Sequence, residues 1–155
     1  MLSTRISNLL QKIKNKKTLF IGLGNEKRGD DGIAIYLTKK LKDCKKKINF
    51  LLAYTTPENY LQKIIDINPE IIVFMDAVHD EKPEGEISLL KKDEISTAAI
   101  STHTTSINLI IQFLEKSCGA DIYVIAVSIK RAEFKEQISP KIRDVADELI
   151  KELTN

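Results

Sequence analysis

The chain has 155 residues, 43% of them hydrophobic, and its 24 Lys and Arg against 22 Asp and Glu leave a formal net charge of +2. This length and apolar content exclude a disordered chain and fit one soluble domain, able to bury about 68–70% of its unfolded surface without disulfide or metal staples. Charge so near balance removes the electrostatic case for nucleic acid or an anionic membrane as partner. The basic cluster Lys39, Lys40, Lys42, Lys45, Lys46 and Lys47 lies near an expected helix end, where cations suit the dipole, and reads as a solvated face.

Taken in chain order, Met1 to Lys17 places Leu2, Ile6, Leu9, Leu10 and Ile13 at steps of three and four, which predicts an amphipathic helix. Its lysines interrupt any signal-peptide core, and no apolar stretch approaches the ~20 residues of a membrane span, so a cytoplasmic location is expected. Thr18 to Leu23 reads as a buried strand ending in a glycine-containing loop, after which Asp30 or Asp31 is expected to cap a helix reaching about Lys42. Ile48 to Ala53 predicts the second strand. Thr56-Pro57 opens a helix that Asn68-Pro69 stops. Ile71 to Met75 is the strongest strand signal and is expected to terminate at Asp76, with Ala77 to Gly85 as loop.

Glu86 to Leu90 predicts an antiparallel edge strand, and hydroxyl-rich Ser101 to Ser106 precedes a helix from Ile107 that ends near Gly119. Asp121 to Val127 is a further strand, and Ser139-Pro140 opens the C-terminal helix. Strands alternating with helices imply a single-domain α/β three-layer sandwich spanning 1–155, its sheet mostly parallel with one antiparallel strand and helices on both faces. Cys44 and Cys118 form no C-x-x-C pair and read as free thiols.

In an open α/β sheet, ligands sit outside the carboxyl ends of the strands, which directs attention to Asp31, Asp76 and His103. Two carboxylates and an imidazole offer oxygen and nitrogen ligands for a borderline divalent metal such as nickel, zinc, cobalt or manganese, or an acid–base set working near neutral pH. Each also has a structural reading. Asp31 suits the first turn of a helix, Asp76 is a strand-end acid that needs a partner, and His103 can bond to its Ser and Thr neighbours. His79, in the run Ala77-Val-His-Asp-Glu81, is a competing ligand beside Asp76. Asn25 is expected to orient the first loop through backbone bonds. Gly22-Leu-Gly24 lacks the third glycine of a dinucleotide fingerprint, the second strand ends without a ribose-binding acid, and no Walker or G-x-S-x-G motif is present.

Gly22-Leu-Gly-Asn-Glu-Lys-Arg-Gly-Asp-Asp-Gly32 resembles the G-x-G-N-x-x-x-x-D-[DE]-G signature of the nickel–iron hydrogenase maturation endopeptidases. Thr56-Pro-Glu-Asn59, Asp76-Ala77, Pro83-Glu-Gly-Glu86 and Ser101-Thr-His-Thr104 follow in family order, spaced as in the formate-hydrogenlyase (hydrogenase 3) branch. The resemblance runs from about Leu19 to Leu149 and leaves the helix over 1–17 outside it. It implies an aspartic-type endopeptidase that trims a C-terminal extension from a nickel-loaded large-subunit precursor. By the same resemblance Asp31, Asp76 and His103 recognise the nickel, which the substrate supplies, and Asp31 and Asp76 are the candidate catalytic acids. This chain has Ala53-Tyr54-Thr55 where many relatives carry small residues. The alternatives are a non-catalytic nickel-sensing or chaperone module that binds a hydrogenase subunit, and a small-molecule hydrolase or phosphorylase on the same fold.

Overall fold

A computed structural model of the chain describes residues 3–45, 48–95, 107–134 and 137–154. The elements run α1 (Thr4–Ile13), β1 (Thr18–Leu23), α2 (Ile33–Cys44), β2 (Asn49–Tyr54), α3 (Leu61–Ile67), β3 (Ile71–Val78), β4 (Ile87–Lys91), α4 (Lys92–Ile95), α5 (Ile107–Cys118), β5 (Asp121–Ser128) and α6 (Pro140–Thr154). The sheet order is β2-β1-β3-β5-β4, parallel except for the antiparallel edge strand β4. This is the expected mixed α/β sheet. Its strand order, which local patterning does not encode, puts a reversal of winding at β1: the chain leaves β1 toward β2 on one side and returns to β3 on the other.

Alternation along β3 divides the core into two layers, because successive side chains point to opposite faces. Ile71, Val73, Met75 and Ala77 pack with Leu37 of α2, Ile142 and Leu149 of α6, and Ile6 and Leu9 of α1. Ile72, Phe74 and Val78 pack with Ile64 of α3 and Ile110 and Leu114 of α5. The N-terminal helix is thus part of the core. Ser3 caps it by accepting from Ile6 N–H at 3.3 Å, and it stops at Ile13 rather than Lys17 because no apolar residue follows in Lys14–Lys17 to hold another turn.

Three further boundaries depart from the sequence expectation. Neither Asp30 nor Asp31 caps α2: a 3₁₀ turn over Gly29–Gly32 absorbs both, and the helix starts at Ile33. Strand β3 continues past Asp76 to Val78, since its pairing with β5 runs on through Val78 and Ser128. The one-turn helix α4 had no periodic signal to announce it. Thr56-Pro57 opens a 3₁₀ turn over Pro57–Tyr60 instead of the expected helix, which starts only at Leu61, and the Thr56 side chain makes no capping bond.

Arg5 of α1 grips Glu94 of α4 through both guanidinium nitrogens, one bond measuring 3.0 Å. That guanidinium, together with Lys91 N–H, holds the Glu94 carboxyl down to about 2. A carboxyl lowered on folding stabilises above its unfolded value of 4.5, and the contribution fades as pH falls toward 2. Both side chains are over two-fifths exposed, so solvent screens the pair and the contribution is small. The stability difference between wild type and Glu94→Gln in urea is expected to be constant from neutral pH to about 5, to shrink below that and to close near 2.

Candidate active site at the carboxyl edge

Between β1 and β3 the winding reverses, and the crevice outside their carboxyl ends is where such sheets bind ligands. Both described acids of the expected set lie here. Gly22 pairs with Met75, and one residue further along each strand stand Leu23 and Asp76. Asp76 is 1% exposed and its Oδ1 accepts from Ala77 N–H at 2.8 Å. By alternation it shares the face of Phe74 and Val78, the side on which α5 packs.

Asp31 reaches the same edge from the loop after β1. Asn25 N–H donates to both Asp31 Oδ2 at 3.1 Å and Asp31 O at 3.3 Å, which pins the end of the 3₁₀ turn to the start of the loop. Asn25 Oδ1 accepts from Lys27 N–H at 2.9 Å and its carbonyl from Arg28 N–H at 3.1 Å, so the expected loop-orienting role of Asn25 is present. The glycines of the motif have separate steric reasons. A Cβ on Gly22 would lie 2.3 Å from Thr38 Oγ1, where α2 crosses β1, and one on Gly24 would lie 2.2 Å from Asp31 O. Close helix–strand packing and close loop closure are therefore both written into Gly22-Leu-Gly24.

The neighbouring acids do different work. Asp30, 3% exposed, accepts from Ser139 N–H at 2.7 Å and Ser139 Oγ–H at 3.0 Å, placing a carboxylate at the N-terminus of α6. As helix caps, sequence patterning did not distinguish Asp30 from Asp31, because a bond across 109 residues leaves no local signal. Replacing Asp30 by Ala strands the Ser139 N–H, and the expected cost is about 2 kcal/mol in chemical denaturation. Glu26 is paired with Lys39 of α2 at 2.8 Å, which also raises the pKa of that lysine.

His79 follows β3 on an exposed loop position, whereas Asp76 is buried. Among the described residues no group of three His, Cys, Asp or Glu side chains converges to hold a metal, so Asp76, His79, Asp80 and Glu81 do not form the competing site. His103, with the rest of Ser101 to Ser106, lies outside the described residues. Helix α5, which begins at Ile107, ends at Cys118 with two residues between it and the amino end of β5, so its N-terminus is directed toward the carboxyl edge. Sequence reasoning passed over Ser128, which is 0% exposed at the end of β5 on the Asp76 face and whose Oγ has no hydrogen-bond partner among the described residues. Tyr54 closes β2 with φ 54°, beside a bulge where the ladder steps from Leu52 to Tyr54.

The family model described as hydrogenase maturation protease, HycI, matches residues 32–155. The chain belongs to this family. A Methanocaldococcus jannaschii protein that carries the hydrogenase maturation protease name is 34% identical over 94% of this chain and 91% of its own. The hydrogenase 3 maturation protease of Escherichia coli K12 is 28% identical over 66% of this chain and 67% of its own. In structure, the chain is similar to a [NiFe] hydrogenase maturation protease HycI from Thermococcus kodakarensis, with a TM-score of 0.82, 25% identity and coverage of 95% of this chain and 98% of that one. The fold is therefore that of the HycI proteases, and the protein is a peptidase of hydrogenase maturation. Among the described residues no helix is long and apolar enough to cross a membrane.

Proposed function

We propose that the protein removes a C-terminal extension from a hydrogenase large-subunit precursor after nickel has been inserted, with Asp31, Asp76 and His103 recognising that nickel. The observation that carries the reading is the pair Asp31 and Asp76, each at most 4% exposed, at the switch point of the sheet in a chain of this family. Buried carboxylates at the ligand-binding edge of an α/β sheet are candidates for metal recognition or proton transfer. Two oxygen donors and one imidazole suit a borderline divalent ion, and three ligands leave positions open for groups of the substrate. The metal arrives with the precursor and is cargo of the substrate.

In the aspartic-type reading, one of the two carboxylates takes a proton from the attacking water and a protonated partner returns one to the leaving amine. The Ser128 hydroxyl, buried on the Asp76 face and without a hydrogen-bond partner among the described residues, is a further polar group that a bound substrate or water can engage. A cytoplasmic location follows from the reading, since the precursor has to be met where it is assembled.

The test is to mix the purified protein with nickel-loaded and nickel-free precursor and follow the C-terminal peptide by mass spectrometry. Release from the loaded form alone is expected; stable binding without release would make the protein a chaperone. In calorimetry, the isolated protein is expected to bind Ni²⁺ weakly, with Asp31→Ala and His103→Ala each weakening it about tenfold or more and His79→Ala leaving it unchanged. Equal binding by wild type and the first two variants would move the metal elsewhere.

A further inference from the structure

At the opposite, amino edge of the sheet a pocket of about 280 Å³ opens between α1, α2, α6 and the first residues of β1 and β2. Its inner wall is the Phe20–Phe50 pair, with centroids 5.4 Å apart and planes at 26°, joined by Ile13, Leu41 and Leu153. Phe50 and Ile13 are only half-buried, so part of this apolar wall faces the opening. Lys14, Lys16, Lys17 and Lys45 also line it, and the first three are exposed. No acidic residue lines the pocket among the described residues, and none of these four ammonium groups takes part in an ion pair there.

We infer that this pocket binds an amphiphilic carboxylate, a medium-length alkyl or single-ring aryl acid, with its apolar part against Phe20 and Phe50 and its carboxylate among the lysines. Four cations around one opening repel each other and create a positive potential over an apolar wall. A neutral apolar molecule leaves that repulsion in place, and a small inorganic anion leaves the wall wet. Only a ligand with both characters relieves both. The volume lies just below the range of about 300–1,000 Å³ typical of drug-sized ligands, so one short chain or ring fits. The pocket is a strand's length from Asp31 and Asp76, roughly 20 Å for six residues, and its occupancy is independent of the peptidase reading.

The probe is decanoate, titrated below its micelle concentration into the ¹⁵N-labelled full chain, with decanol and acetate as separate controls. Saturable amide shifts are expected at Phe20, Leu41, Asn49, Phe50 and Leu153, with decanol and acetate each at least about tenfold weaker. The double variant Lys14→Glu/Lys17→Glu, at exposed positions where the fold does not depend on the side chain, is expected to weaken decanoate about tenfold or more. Absence of saturation, shifts centred elsewhere, equal binding of decanol or acetate, or an unchanged double variant would each overturn the assignment.

Discussion

Asp76→Asn is expected to slow release of the C-terminal peptide by about 10²–10⁴-fold while the variant stays folded. The substitution is close to isosteric and keeps an oxygen in place to accept from Ala77 N–H, so packing and that bond survive. What changes is charge and basicity, the two properties a metal-recognising or proton-transferring carboxylate needs. A purely structural Asp76 gives the opposite pattern: its remaining partner is left unsatisfied, unfolding free energy falls by about 1–3 kcal/mol, and cleavage continues. Denaturation and the cleavage assay on one preparation separate the two. A destabilised variant that still cleaves would return the site to Asp31 and His103.

The fold was legible wherever a run was long and periodic. Five of the eight buried positions of β3, Ile71–Met75, form an unbroken apolar run up to Asp76, and α5 and α6 carry clear helical spacing. Edge strand β4 could be read as antiparallel because only a loop holding Pro83 and Gly85, with no helical crossover, separates it from β3. Boundaries were less legible because nonlocal bonds set them. Pairing with β5 carries β3 two residues past its acid, and packing of Gly24 against Asp31 forces a 3₁₀ turn where capping rules alone put the start of a helix. Strand order lies in which faces pack together, and no single segment contains it.

Asp31 and Asp76 were legible as candidates because a carboxyl-edge rule needs only the ends of apolar runs, which sequence supplies. The work of Asp30 was not, since Ser139 is its neighbour only in space. Nor was the buried hydroxyl of Ser128, which in sequence is one polar residue closing one more strand. The lysine-rimmed pocket was hidden for a similar reason. In sequence Lys14, Lys16 and Lys17 served only to exclude a signal-peptide core, and their relation to Phe20 and Phe50 appears only once β1 and β2 lie side by side.

Gly24→Ala carries the largest expected stability cost, about 3 kcal/mol or more in urea denaturation, and loss of processing with it. At φ 134° the backbone is in a region that residues with a Cβ rarely adopt, and the added carbon would sit 2.2 Å from Asp31 O. Neither side of that contact can yield cheaply. Asp31 O is held by Asn25 N–H, and behind it Gly32 already lies so near Glu26 Cα that its own Cβ would come within 3.0 Å. The loop can relieve the clash only by opening, which breaks both Asn25–Asp31 bonds and carries the carboxylate away from β3. Gly29→Ala supplies the contrast: φ is 56°, the nearest atom would be 3.4 Å away, and the expected cost is only the ~1–2 kcal/mol of a left-handed residue. If Gly24→Ala proved no costlier than Gly29→Ala, close approach of the loop ends would not be what positions Asp31.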